Sequence, residues 1–209
     1  MIIQTLTVGP FQENCYIIGD EITKTGVIID PGDEAEWIIE TARKTGLQFK
    51  SVLNTHAHID HIGAVNQIKN EFKIPFYLHQ AELPVLQYAP QSAAMFGIRL
   101  NSVPEVDVFY DTNLTVELGQ LSIRLFFTPG HSPGSVSLYV PSEKVVFGGD
   151  VLFNGSIGRT DLPGGDFDTL IASIRTHLFT LPDDVIVYPG HGPETAIGHE
   201  KKYNPFLQK

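Results

Sequence analysis

A single cysteine, Cys15, makes an intrachain disulfide impossible. Positive charge is also scarce: 14 Lys and Arg stand against 24 Asp and Glu, a net charge of −10 with histidines neutral. That balance favours solubility and excludes the broad basic face that sequence-independent nucleic-acid binding needs. Long apolar runs are missing, and none approaches the ~20 residues that span a bilayer. The opening residues, MIIQTLTVGPFQEN, have no basic segment followed by an apolar stretch, so no signal peptide is expected and the cytoplasm is the expected compartment. No low-complexity tract or internal repeat breaks the chain, and its 14 prolines and 19 glycines are dispersed as single punctuation marks. One domain covering residues 1–209 is therefore expected, long enough to bury a substantial core.

What the chain does have is a succession of short β-type runs. They are IIQTLTV (2–8), CYIIG (15–19), GVIID (26–30), KSVLN (50–54), PFYLH (75–79), LTVEL (114–118), LSIRLFFT (121–128), SVSLYV (135–140), KVVFGG (144–149) and DVIVYPG (184–190). The pair 114–118 and 121–128 predicts a hairpin turning at Gly119–Gln120. Apolar spacing near 3.6 predicts helices over 33–45, stopped by Gly46, and over 61–73 and 166–178. Many strands with interspersed helices predict a layered α/β or α+β fold.

Five of the apolar runs deliver a ligand-type side chain beside Gly or Pro: Asp30, the segment THAHIDH (55–61), His131, Asp150 and His191. In layered folds, strand ends of this kind converge on one rim. Within THAHIDH, His56 and His58 alternate by two and so point the same way from an extended backbone. Asp60 and His61 follow at the turn into the next helix. Imidazole and carboxylate are the ligands that zinc, iron and manganese accept, so a metal site outweighs a solvated turn here.

The set T-H-A-H-I-D-H, P-G-H-S-P-G (129–134), F-G-G-D (147–150) and P-G-H-G (189–192), in this order, resembles the metallo-β-lactamase superfamily. The resemblance implies an α+β fold, the αββα sandwich, with two mixed sheets face to face and helices outside. It also implies two divalent metal ions, zinc first, with iron or manganese as alternatives. His56, His58 and His131 would hold one, Asp60, His61 and His191 the other, and Asp150 would bridge them. The implied nucleophile is a metal-bridging hydroxide, which Asp60 would help orient. A carboxylate at Asp150 argues against antibiotic hydrolysis, and His58 stands where the flavodiiron branch has Glu. The basic arms of the tRNA-processing branch are not visible.

The segment Gly155–Asp161 followed by LPGGD, and the tail IGHEKKYNPFL (197–207), resemble the glyoxalase II and persulfide dioxygenase branch. The match is closest to compact glyoxalase II-like hydrolases. Full glyoxalase II enzymes add a C-terminal helical domain that binds glutathione, whereas only 18 residues follow His191 here. The implied reaction is hydrolysis of a small-molecule thioester such as S-D-lactoylglutathione, with no nucleic-acid or membrane partner; the oligomeric state stays open. The alternative is a persulfide dioxygenase with one iron on His56, His131 and Asp150. A thioester suits such a site because its thiol, with a pKa near 8.5, leaves without a strong acid.

Asp30 is the first candidate to orient an imidazole, against a plain turn aspartate. Arg159 and Asp161 either shape the site's mouth or form a local ion pair. Tyr188, Lys201, Lys202 and Tyr203 are weaker substrate-contact candidates. His79, which is expected to start a helix after the strand 75–79, His177 and His199 are expected to be structural or superficial, and Cys15 and Trp37 to pack in the core.

Overall fold

In this computed structural model, which describes residues 1–111 and 115–208, all seven residues of the second strand are buried. The reason is that both of its faces are covered. Cys15 and Ile17 point to a cluster shared with helices, while Tyr16 and Ile18 point to a cluster shared with a second sheet. The strand belongs to a six-stranded mixed sheet made of β1 (Ile2–Val8), β2 (Glu13–Gly19), β3 (Thr25–Ile29), β4 (Gln48–Leu53), β5 (Phe76–Leu78) and β6 (Val108–Phe109), in that spatial order. The first three strands pair antiparallel, and β3 to β6 run parallel.

The second sheet contains β7 (Thr115–Leu118), β8 (Leu121–Phe127), β9 (Val136–Val140), β10 (Val145–Gly149), β13 (Ile186–Pro189) and β14 (Thr195–Ala196), in the order β14-β13-β10-β9-β8-β7. A small ribbon of β11 (Leu152–Phe153) and β12 (Ser156–Ile157) stands apart. β10 and β13 are parallel, and the other neighbours in the second sheet are antiparallel. One apolar cluster, including Ile18, Ile29, Leu53, Leu125, Leu138 and Phe147, fills the space between the two sheets. A second packs the first sheet against α1 (Ala35–Thr45), α3 (Val65–Phe72) and α4 (Leu83–Phe96). A third packs the other sheet against α5 (Phe167–Ser173) and α6 (Ile197–Tyr203). This is the expected αββα sandwich, an α+β fold.

The hairpin turns at Gly119 with Leu118 opposite Leu121, as expected; Leu114, the first residue of the expected strand, lies outside the described residues. Helix α1 stops at Gly46, which adopts φ +67°. The helix expected over 61–73 is instead two pieces, α2 (Ile59–Ile62) and α3. The loop after β3 causes the break. Ala64 donates its amide to Pro31 O rather than to its own helix, and a Cβ on Gly32 would lie 1.6 Å from Asp60 O. The helix expected over 166–178 runs from Phe167, capped by Asp166, and finishes as a π-helical turn over Ile174–Leu178. Trp37 is a correction. Ile38 and Ala42 turn toward the sheet, which leaves the indole on the outer face of α1, 45% exposed. Cys15 is buried as expected. The helix expected to start at His79 is a short turn over Gln80–Glu82 that runs directly into α4, and α6 was not expected. Among the described residues, no helix is long and apolar enough to cross a membrane.

Candidate metal centre

Strand ends carry the site. β4 ends at Leu53 and hands over to His56, His58 and the single turn of α2 that bears Asp60 and His61. The connection after β8 bears His131. β10 ends one residue before Asp150, and β13 ends two before His191. All seven donors converge. His56, His58 and His131 form one group whose ligand atoms lie within 4.8 Å of one another, and Asp60, His61 and His191 form another. Asp150 stands between them, with Oδ2 3.5 Å from His131 Nε2 and 3.6 Å from His191 Nε2, and Oδ1 3.5 Å from His61 Nε2.

Four of the five imidazoles are oriented through Nδ1. His61 Nδ1 donates to Asp30 Oδ2 at 3.1 Å, His131 Nδ1 to Arg159 O at 2.8 Å, and His191 Nδ1 to Phe11 O at 3.1 Å. His56 Nδ1 lies 3.1 Å from Thr55 Oγ1, which itself donates to Asp30 Oδ2 at 2.6 Å. With Nδ1 carrying the proton, each ring presents a bare Nε2 inward. His58 is the exception: its Nδ1 faces His131 Nε2 at 2.9 Å. Asp30, at φ +46°, also accepts the Thr55 amide at 2.6 Å, so it fastens the turn and two rings together.

Charge follows burial. Burial, then the neighbouring imidazoles, holds His56 well below the usual range and His58 down to about 4. Burial also opposes charge on His61, but Asp60 and Asp150 outweigh it and raise its pKa. Burial would raise Asp60; His61 and His191 overcome that and keep it a carboxylate. His56 Nε2, His61 Nε2 and Asp150 Oδ1 are buried without a hydrogen-bond partner in the protein. Orphaned buried lone pairs of this kind are costly unless something engages them. Nitrogen and oxygen ligands in two adjoining groups fit two divalent cations of the zinc, iron or manganese type.

The comparisons with known proteins agree with this geometry. The family model described as the metallo-beta-lactamase superfamily matches residues 8–191. The chain is 40% identical over 214 residues to a Haemophilus influenzae protein called hydroxyacylglutathione hydrolase GloC, covering 99% of this chain and 98% of that one. Among solved structures, BLEG-1, described as a B3 metallo-beta-lactamase, superposes with a TM-score of 0.93 at 42% identity over all of both chains. TTHA1623, solved in a di-iron-bound form, gives 0.90 at 40% identity, covering 98% of this chain and 100% of that one. The chain belongs to the metallo-β-lactamase superfamily, and it is a metallo-hydrolase by that membership.

The remaining candidates divide. Arg159 lines the cavity over the cluster, but its guanidinium is gripped by Asp161, Nε to Oδ1 and Nη2 to Oδ2, both at 2.7 Å. That contact holds the Asp161 carboxyl down at about 2. Tyr188 does not line the cavity; it stacks on Phe147 and meets Tyr16 edge-on between the sheets. Lys201, bound to Asp183, and Lys202, over the Tyr203 ring, lie on α6 away from the cavity. His79 caps a short turn at 80–82, His177 stacks on Phe126, and His199 packs against Tyr203.

Two acids escaped the sequence reading. Glu82 is buried and accepts Ala57 N at 2.8 Å, Ser132 Oγ at 2.6 Å and Gly134 N at 2.6 Å. It thereby ties the loop bearing His56 and His58 to the loop bearing His131. Glu13 is fully buried 3.7 Å from His61 Nδ1, and burial raises its pKa well above the carboxylate range. Glu82 belongs to no motif. Glu13 adjoins a buried apolar run, which is the one hint that its side chain points inward.

Proposed function

We propose that this chain is a metal-dependent thioester hydrolase of glyoxalase II type. The observation that carries the reading is the pair of three-residue groups meeting at one carboxylate, Asp150, on the floor of a cavity of about 790 Å³. His56, His58 and His131 would hold one cation and Asp60, His61 and His191 the other, with zinc first and iron or manganese as alternatives. Two cations there supply an acidified water and a Lewis acid for a carbonyl oxygen. Asp60, kept anionic by His61 and His191, lines the cavity and is placed to accept a proton from an attacking water. The oriented rings hold still while the substrate changes charge, because their Nδ1 protons are committed to Asp30, Arg159 O, Phe11 O and Thr55.

A departing thiolate needs no proton from the protein. An amide nitrogen does, and the imidazoles and carboxylates at the cavity floor are the ones the cations would engage. That favours a thioester over a β-lactam, in line with the name of the GloC relative and despite that of BLEG-1. All seven donors lie between residues 56 and 191, so the chemistry calls for no second domain, and a reducing, cytoplasmic setting suits a chain whose one thiol is buried.

The test is hydrolysis of S-D-lactoylglutathione and of a simple acyl thioester by protein reconstituted separately with zinc, iron and manganese. A β-lactam and a glutathione persulfide, the latter followed by oxygen uptake, serve as competing substrates. Thioester turnover that is lost in Asp60→Ala with an unchanged circular dichroism spectrum is the expected result. A folded, metal-loaded sample that hydrolyses no thioester refutes the reading, and oxygen uptake in its place selects the dioxygenase.

A further inference from the structure

Helix α4, LPVLQYAPQSAAMF, has no charged residue in its 14 positions. A helix at a protein surface ordinarily carries charge on its outward face. Here one face, Leu86, Ala89 and Ala93, is buried in the core, and the other, Val85, Tyr88, Ser92, Met95 and Phe96, lines the cavity over the metal centre. Three of these are large apolar side chains left open: Tyr88 is 46% exposed, Phe96 52% and Met95 73%. Phe11, from the turn between β1 and β2, extends the patch and meets Phe96 edge-on at 5.3 Å. Across the cavity stand Phe153, Ile157 and Leu162. A contiguous apolar surface of this kind marks a binding site rather than chance exposure.

Charge is missing from the same walls. Outside the seven candidate metal ligands, Arg159 is the one charged side chain lining the cavity among the described residues, and Asp161 neutralises it. Glutathione carries two carboxylates and an ammonium at neutral pH. Burying them against Phe11, Met95 and Phe96 would strip their water with nothing in return.

Building on the thioester reading, we propose that this cavity selects substrates by an uncharged, apolar arm, an alkyl chain or aryl ring, rather than by glutathione. Phe11, Met95 and Phe96 are the residues that select it. The arm lies along α4 while the thioester carbonyl reaches the floor formed by His58, Asp60, His131, Asp150 and His191. A fully buried methylene favours binding about fourfold and a half-buried one about twofold, so four added methylenes raise kcat/KM roughly tenfold or more.

The experiment compares thioesters of N-acetylcysteamine, a neutral thiol, bearing acetyl, hexanoyl and benzoyl groups, with acetyl thioesters of alkanethiols of rising length. Metal-loaded full-length protein is used, with S-D-lactoylglutathione alongside. A rise of tenfold or more from acetyl to hexanoyl, or along the alkanethiol series, is expected; the series that responds tells whether the acyl or the thiol side occupies the patch. Phe96→Ala should shrink that ratio at least fivefold, and Phe96→Leu should restore most of it. Because Phe96 is half exposed, both variants should melt like the parent. Flat series on both sides, or S-D-lactoylglutathione favoured tenfold over the hexanoyl thioester, overturns the proposal while leaving the hydrolase reading intact. No hydrolysis of any thioester refutes the hydrolase reading instead. Calorimetric binding of the hexyl against the ethyl thioether of N-acetylcysteamine then still decides the apolar arm: a tenfold preference upholds it, and equal affinity overturns it.

Discussion

Replacing Glu82 separates the contribution of a fastener from that of a ligand. Its carboxylate takes three buried donors from two loops: Ala57 N, between His56 and His58, and Ser132 Oγ and Gly134 N, just after His131. In Glu82→Ala the serine hydroxyl can turn elsewhere, but the two backbone amides cannot. At about 1–3 kcal/mol for each orphaned buried group, the loss is about 2–6 kcal/mol. Burial raises the pKa of Glu82, so part of the cost of burying an anion is recovered when it is removed. About 3 kcal/mol is the working figure. Glu82→Gln keeps an oxygen for Ser132 and Gly134 but turns its amide toward the Ala57 amide, one conflict at about 1–3 kcal/mol. For a chain of this length each kcal/mol moves Tm by about 2–4 °C. Chelated protein followed by circular dichroism should therefore show Tm lowered by about 6–12 °C for Ala and by about half that for Gln. Metal affinity, titrated separately, should fall about 10- to 100-fold in Ala because both ligand loops loosen. A Glu82→Ala protein that melts within about 2 °C of the parent would refute the clamp, and so would a Gln variant as damaged as Ala.

Asp30→Asn keeps a residue that tolerates φ +46° but turns an amide N–H toward His61 Nδ1 and the Thr55 hydroxyl. His61 should then move its proton to Nε2 and lose its inward lone pair, so metal bound after dialysis should drop from two ions per chain toward one, as elemental analysis would read. Gly190→Ala would place a Cβ 2.1 Å from Asp150 Oδ1 and 2.8 Å from His61 Cε1. It should cut metal content and turnover together. Gly192→Ala, at φ +74° with open space around it, should cost about 1–2 kcal/mol in a denaturant melt while metal content holds. Equal metal loss in the two glycine variants would sink the steric argument.

The longer strands were legible because each is a short apolar run covered on one or both faces, and on β2 the residues from Cys15 to Ile18 face the two clusters in turn; β6, β11, β12 and β14, two residues each, are too short to leave such a run. What failed was mostly helix. The helix expected from His79 begins as a short turn over 80–82 and continues as α4 despite Pro84 and Pro90. Pro84 sits in the first turn, where a missing amide costs nothing, and Pro90 is carried by a helix whose Leu86, Ala89 and Ala93 are fixed against the core. The break between α2 and α3 comes from the upstream loop at Pro31 and Gly32 meeting Asp60 and Ala64, a tertiary contact no local pattern contains. Trp37 has the hydrophobicity of a core residue, but Ile38 and Ala42 already claim the sheet side of α1.

The seven donors of the candidate centre could be read because each lies in the loop that follows the end of an apolar strand, β4, β8, β10 or β13, and such ends meet at one rim of a sandwich. The supports around them follow a different rule. Tyr188 shares β13 with Ile186, and both side chains pack into the inter-sheet cluster while Val187 faces the other way. Period-two alternation puts it on the inter-sheet face with Ile186, away from the cavity despite its nearness in sequence to His191. Glu82 and the apolar face of α4 offer no such periodic cue. Glu82 matters because of where the backbone amides of Ala57 and Gly134 point, and the patch matters because Phe11, 85 residues upstream, closes on Phe96. Donor identity is a property of residue type and so survives in the sequence. Restraint of those donors and selection of what reaches them are properties of chain crossings, which is why both rest on residues that the motifs never touch.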